Sequence, residues 1–486
     1  MNHYKSRIAS LFIGSCFIVL GLVFASIGGR VAAFEVVEGE KRPLSPTSFH
    51  DWQRRSDPQD FDINACVWAF SNETRLLTAD LNGDGRTDLV CFYYQSNGSL
   101  TMYIQLADGH GDFQQWQEWG GGDSLFDCEL FRLADIDGDD DNDVVCIDRE
   151  RKVLIKLSDA GQFSPIWMEI RQDSPNTFRW EYCYNDIQIV DANQDGTDDL
   201  ICTYLYPTNN SATFALPLNG YTQASWVQLS DTAVSSQFRV DYCHTLRTGD
   251  VDGNGQVDLI CLYLYPDGHS AIFVQLANDF TFGNWQIWSE STAANSFNPI
   301  YCFVDGNFAQ AILTIDTGDV DGDGLTDLIC PYYYPNVSDG SKAVLVHTDS
   351  SDAPGQKYGH WTTWQEIPAA FNVRRCSQAD LGASFAHDLN GDGRSDLVCV
   401  YVYATGNTAT FVSLSEGDSF SGWERWSEIV DSSAFFALQC AIIQVGDVDG
   451  DGLTDLICPY VEPNGSVATY VQQVAFHQVH LPILVK

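Results

Sequence analysis

The sequence predicts an all-β fold, a seven-bladed β-propeller of four-stranded antiparallel blades whose ring is closed by an N-terminal strand. Three observations carry that expectation. An Asp-rich string ending in cysteine recurs seven times, β-rich runs flank every copy, and the strand missing after the last copy is found near the N-terminus. Copies start 55 to 69 residues apart, which fits one four-stranded blade with its turns. Units of that size arranged radially make a propeller.

The strings are DLNGDGRTDLVC from Asp80, DIDGDDDNDVVC from Asp135, DANQDGTDDLIC from Asp191 and DVDGNGQVDLIC from Asp250. DVDGDGLTDLIC from Asp319, DLNGDGRSDLVC from Asp388 and DVDGDGLTDLIC from Asp447 complete the set. After each comes an alternating run such as CTYLYP (202–207), CLYLYP (261–266) or CVYVYA (399–404). Aromatic and β-branched residues in alternation mark strands. A turn and a further strand follow, as in AIFVQL (271–276) and ATFVSL (409–414), and the unit ends on FGNWQIW, YGHWTTW or FSGWERW. After the seventh loop no such Trp strand remains. Phe49-His50-Asp51-Trp52 keeps the spacing of Phe420-Ser421-Gly422-Trp423, so residues 47–60 are expected to supply the outer strand of the last blade. Closure of that kind removes an open sheet edge.

The remaining segments fall outside the repeats. Lys5 and Arg7 precede an apolar run from Ile8 to Gly29, and Val31-Ala32-Ala33 offers a cleavage site, so residues 1–33 read as an export signal or a retained N-terminal anchor. Residues 34–46 read as a linker, 47–477 as the propeller and 478–486 as a tail. Beyond the signal nothing looks transmembrane, so everything after about residue 34 is expected outside the cytoplasm, as in a secreted protein. Aromatics at 13% and an apolar set at 44% supply a large core. A formal charge of −41 repels nucleic acid and anionic membrane surfaces and suits bound cations. Sequons start at Asn72, Asn97, Asn209, Asn336 and Asn464.

Within each loop, side-chain oxygens fall at positions 1, 3, 5 and 9, and the backbone carbonyl of position 7 is the expected fifth ligand. The sets are Asp80, Asn82, Asp84, Arg86 and Asp88; Asp135, Asp137, Asp139, Asp141 and Asp143; and Asp191, Asn193, Asp195, Thr197 and Asp199. They continue with Asp250, Asp252, Asn254, Gln256 and Asp258; Asp319, Asp321, Asp323, Leu325 and Asp327; Asp388, Asn390, Asp392, Arg394 and Asp396; and Asp447, Asp449, Asp451, Leu453 and Asp455. Oxygens at alternate positions converge only if the chain curls tightly, and Gly at position 6 supplies that turn, as in the EF-hand loop. Hard oxygen donors of this kind favour calcium, up to seven ions. Asp140 replaces the position-6 Gly of the second loop, which makes that loop the weakest expected site. Asn254 lowers the charge of the fourth, and Gln194 sits at position 4, away from the ligands.

Fifteen cysteines less Cys16 leave fourteen, an even number suited to an oxidising compartment. Each later cysteine (Cys91, Cys146, Cys202, Cys261, Cys330, Cys399, Cys458) stands 11 residues after its first loop Asp, and an earlier one (Cys66, Cys128, Cys183, Cys243, Cys302, Cys376, Cys440) precedes each loop. Pairing within a repeat is preferred. A loop symmetric about position 5 would place the residue 3 before the first Asp opposite the later cysteine, too far along the strand from the earlier one unless the chain folds back. The alternative joins neighbouring repeats and seals the ring through Cys458 and Cys66.

These loops resemble the FG-GAP/VCBS repeats of integrin α-subunit propellers and of many secreted bacterial proteins. The resemblance spans about residues 47–475, and five of the seven loops match D-x-[DN]-G-[DN]-G-x-x-D-L in full. It implies calcium in the first hairpin of each blade. The FG and GAP elements are not evident, and no leg domain or transmembrane tail follows, so integrin-type adhesion is not implied. The chain is also similar to calcium-containing seven-bladed fungal lectins, through blade number, loops and aromatic content. A binding module for glycans or a cell-surface protein is therefore the first functional expectation. Tyr93, Tyr204, Tyr263, Tyr332, Tyr401 and Tyr460, each two residues past a fixed cysteine, could present rings to sugars or pack between blades. A carbohydrate-active enzyme or a structural scaffold is the alternative. Neither H-E-x-x-H nor G-x-S-x-G occurs, and His244 and His387, each beside a repeat landmark, are the histidines to watch.

Overall fold

The computed structural model describes residues within 48–475, apart from 61, 64–65, 67–75, 96–98, 124–127, 149–151, 160, 173–177, 180–181, 219–222, 232–237, 291–301, 303–314, 334–341, 348–357, 359–360, 368–370, 372–374, 377–385 and 432. The proposed export signal, the linker, the C-terminal tail, Cys16 and the sequons at Asn72, Asn97 and Asn336 lie outside them. Among the described residues, no helix is long and apolar enough to cross a membrane.

The fold is an all-β propeller arrangement of four-stranded antiparallel sheets. In chain order the first sheet holds Leu76–Ala79, Asp88–Tyr94, Leu100–Gln105 and Gln117–Asp123, and the second Cys128–Ala134, Asp143–Asp148, Val153–Lys156 and Met168–Glu169. The third holds Cys183–Val190, Asp199–Leu205, Ser211–Leu216 and Val227–Asp231, and the fourth Cys243–Gly249, Asp258–Leu264, Ser270–Gln275 and Gln286–Glu290. The fifth holds Asp316–Gly318, Asp327–Tyr333, Lys342–His347 and Thr362–Ile367, and the sixth Ala386–His387, Asp396–Val402, Thr408–Ser413 and Glu424–Arg425. The last contains Gln444–Gly446, Asp455–Val461 and Val467–Gln472, with Gln53–Arg54 as its fourth strand. Each Asp-rich loop connects the first two strands of its sheet.

Apolar side chains on both faces of each second strand bury against the sheets before and after it. Val190, Ile201 and Ala215 of the third sheet pack with Leu246, Leu259 and Phe273 of the fourth. Leu76, Leu89 and Cys91 of the first sheet pack with Ile442, Ile457 and Val471 at the last. Phe238 stacks on Trp285 at 4.3 Å, Phe178 on Trp226 at 4.2 Å and Phe371 on Trp423 at 4.9 Å. In the last sheet the same stack is made by Phe435 and the N-terminal Trp52, at 4.7 Å. Gln53 faces Val471 and Arg54 faces Tyr470, the register that Glu424 and Arg425 keep with Val412 and Phe411.

All seven disulfides lie within repeats, with Cα–Cα separations of 5.1 to 5.6 Å, and Cys66 joins Cys91 rather than Cys458. Two details differ from the sequence reading. Leu76 faces Cys91, four residues before Asp80, because the loop turns about a point between positions 4 and 5. Bulges between Cys243 and Thr245, and between Cys128 and Leu130, then fold the earlier cysteine back towards its partner. His244 is the exposed residue of one such bulge, whereas His387 pairs in register with Asp396 in another sheet. The tyrosines past the fixed cysteines are core: Tyr204, Tyr263, Tyr332, Tyr401 and Tyr460 are at most 7% exposed, and Tyr93 packs at the edge of its cluster.

Trp52 tests whether the N-terminal strand belongs to the last sheet. Trp52→Ala is expected to cost about 3–5 kcal/mol, as removal of a large core aromatic does, and as much as Trp423→Ala. Urea unfolding measures both, and a silent Trp52→Ala beside a damaging Trp423→Ala would contradict the docking.

Candidate metal centres

Each loop is wound by its own carboxylates. The position-1 aspartate accepts the N–H of position 6 on Oδ2 in all seven loops, at 2.6 to 3.1 Å. The position-5 side chain accepts the N–H of position 7 at 2.7 to 3.0 Å. Positions 4 and 6 take left-handed backbone. Asp140 does so at φ 70°, as its place in the second loop requires, and Gln194 at φ 57°. That position-4 demand went unnoticed in the sequence, although six of seven loops carry Gly there. Gln194 compensates by donating to the Gly255 carbonyl of the next loop at 3.0 Å.

Position 9 is the anchor. Its aspartates are at most 2% exposed. Oδ2 accepts the N–H of position 2 at 2.9 to 3.2 Å in all seven loops. Oδ1 accepts an N–H just past the third strand at 2.6 to 3.2 Å in six; the counterpart for Asp327 lies outside the described residues. One carboxylate thus ties the loop to the far end of its sheet. Burial is the main reason these acids sit far above the ordinary carboxylate range, with backbone hydrogen bonds pulling the other way and neighbouring aspartates adding to the rise. Asp88, Asp199, Asp258 and Asp396 are pushed up to about 7, and Asp143, Asp327 and Asp455 to about 8.

Positions 1, 3 and 9 converge. Ligand atoms of Asp135, Asp137 and Asp143 lie within 4.8 Å of one another, as do those of Asp250, Asp252 and Asp258, of Asp319, Asp321 and Asp327, and of Asp447, Asp449 and Asp455. The other loops carry Asn82, Asn193 and Asn390 at position 3. The position-5 carboxylate stands outside these trios. In two loops it is paired instead, Asp84 with Arg86 and Asp392 with Arg394. Oxygen donors alone, three carboxylates close together and a tightly curled backbone fit a hard divalent cation, so these clusters could hold metal ions. The second loop assembles its trio despite Asp140.

Neighbouring loops touch. The N–H of position 8 donates to the position-1 carbonyl of the preceding loop, as Asn142 does to Asp80, Asp198 to Asp135, Thr326 to Asp250 and Ser395 to Asp319, at 2.6 to 2.8 Å. Thr87 of the first loop makes the same bond to Asp447 of the last, at 2.7 Å. A Cβ at Gly446 would meet the Thr87 side chain at 2.4 Å, so this approach requires glycine.

Residues 80–146 and 388–458 match the FG-GAP-like repeat family model. No curated protein matches the chain. Among solved structures, BBS1N in complex with ARL6DN is 9% identical, with 87% of this chain and 97% of that chain covered and a TM-score of 0.39. A Mycobacterium tuberculosis puromycin-hydrolyzing peptidase is 13% identical over 86% of this chain and 54% of its own, with a TM-score of 0.42. The Dos1 propeller is 9% identical over 82% and 89%, with a TM-score of 0.37. Likenesses this distant carry nothing about what this chain binds, and the fungal-lectin similarity gains no support from them. The chain carries FG-GAP-like repeats on a β-propeller arrangement.

The buried acids set a pH dependence for the metal-stripped chain. Unfolded aspartates release their proton near pH 4, whereas the folded position-9 groups hold theirs to about 7 or 8. The native state therefore binds more protons across that window, and stability falls as pH rises through it. Melting temperatures in chelator are expected to drop between pH 5 and pH 8; a rise over that range would contradict the assignment.

Proposed function

We propose that the chain is a secreted, calcium-binding, seven-bladed β-propeller that acts as a binding module for an extracellular partner. The observation that carries the calcium reading is the convergence of positions 1, 3 and 9 in four loops, each with oxygen ligands only. In this reading the seven position-1, -3, -5 and -9 sets and the position-7 carbonyls hold up to seven ions. The ring reading is supported by the Thr87–Asp447 bond and by the Trp52–Phe435 stack, which join first and last repeats by contacts that recur elsewhere in the chain. Seven disulfides favour an oxidising, extracellular setting.

A protein partner fits better than a glycan. The repeated tyrosines that would have offered sugar platforms are taken up by the core. The charge of −41, only partly offset by bound calcium, favours a partner with a basic face. The enzyme alternative draws no support from His244 and His387, which stand in separate sheets.

Melting with calcium against melting in excess EGTA tests the calcium reading. Binding to the native state alone raises stability by about 2.7 kcal/mol per site at a hundredfold excess over Kd. A marked rise in melting temperature with calcium is expected, larger than with magnesium. Equal midpoints in calcium and EGTA would overturn it.

A further inference from the structure

We infer that Arg55 and Gln473 form a polar latch that docks the N-terminal strand and positions Asp449 of the last loop for its cation. The inference rests on the calcium reading above and deepens it at one loop.

The latch replaces an apolar pair. Three residues after the first outer-strand tryptophan stand Trp119, Ile170, Leu229, Trp288, Trp364 and Trp426 in six repeats, but Arg55 follows Trp52. Directly after the third strand, other sheets carry Leu106, Leu157, Pro217, Leu276 and Leu414, whereas the last carries Gln473. Where the pair is apolar it shares one cluster: Leu106 with Trp119, Leu157 with Ile170, Leu276 with Trp288, and Leu414 with Trp426. Among the sheets described at both positions, both members have changed together only where the outer strand comes from the other end of the chain.

The polar pair makes bonds that leucine and tryptophan could not. Arg55 Nη2 donates to Gln473 Oε1 at 2.6 Å, and Arg55 Nη1 to Asp112 of the first repeat at 3.1 Å. Gln473 is 8% exposed, and its Nε2 donates to Asp449 Oδ2 at 2.7 Å. Gly111 is needed beside it, because a Cβ there would lie 2.3 Å from the Gln473 amide. The amide occupies one lone pair of Asp449 Oδ2 while Oδ1 accepts the Asp451 N–H at 3.3 Å, and together they fix the orientation in which the carboxylate meets a cation with Asp447 and Asp455. Groups that orient a metal ligand in this way change affinity by about 10- to 100-fold when removed. Docking of the N-terminal strand and filling of the last loop therefore favour each other.

The test restores the apolar pair in the full chain. The double variant Arg55→Trp with Gln473→Leu is expected to melt in EGTA within a few degrees of the parent, while one of its calcium sites weakens by about tenfold in a calorimetric titration. Gln473→Met, similar in length and lacking the amide, should weaken the same site and serves if the double variant folds poorly. A parental calcium isotherm in either folded variant overturns the latch and leaves the calcium reading standing. A parent chain that takes up no calcium overturns both.

Discussion

The fold depends on a buried carboxylate at the ninth position of every loop. Taking such an ion out of water costs several kcal/mol, and each backbone N–H it accepts returns about 1.5–3 kcal/mol. Two such bonds are made by Asp258, one to Val251 at the start of its loop and one to Ala277 beyond the third strand. The aspartate therefore fixes the hairpin and the next strand in one stroke. Its remaining charge is left close to the charges of Asp250 and Asp252. A proton or a divalent cation can relieve that repulsion, so the same geometry underlies both the raised protonation range and the capacity of these clusters to hold a metal ion.

Sheet-to-sheet packing builds on that anchor. Each second strand is buried on both faces, so no sheet is stable by itself, and at five junctions a loop holds its neighbour through the position-8 N–H. The end sheets face the same demand. Leu89 and Ile457 meet in one cluster, and Thr469 Oγ1 donates to Gln105 Oε1 across the junction, as Thr410 does to Gln472 between the sixth and last sheets. The N-terminal strand then covers what would be the exposed edge of Val467–Gln472.

Much of this was legible in the sequence because it is repeated. Seven copies in phase revealed the hairpins, the fixed cysteines and the outer Trp strand, and the Phe49–Trp52 spacing pointed to the pairing of Gln53–Arg54 with Val467–Gln472. What escaped reading depends on three-dimensional neighbours. Position 9 looked like one ligand among four, since nothing in the string reveals that its two oxygens reach residues 7 before and 19 after it in most loops. Positions 3 and 5 look equivalent in the string, and both accept the N–H two residues on, but only position 3 joins positions 1 and 9 in the carboxylate trios. The within-repeat disulfides appeared strained by spacing alone, because a bulge at residues such as His244 has no strong sequence signature. Arg55 and Gln473 stood out only once the sheets were aligned by register.

The central claim is that these clustered acids are cation sites built into the hairpins. Calorimetric titration of the metal-stripped chain with calcium at neutral pH tests it most directly. The account predicts saturable uptake of several ions per chain, up to seven, with proton release as position-9 aspartates ionise. Absence of binding heat and of proton release, at calcium concentrations reaching the millimolar range of extracellular sites, would contradict it.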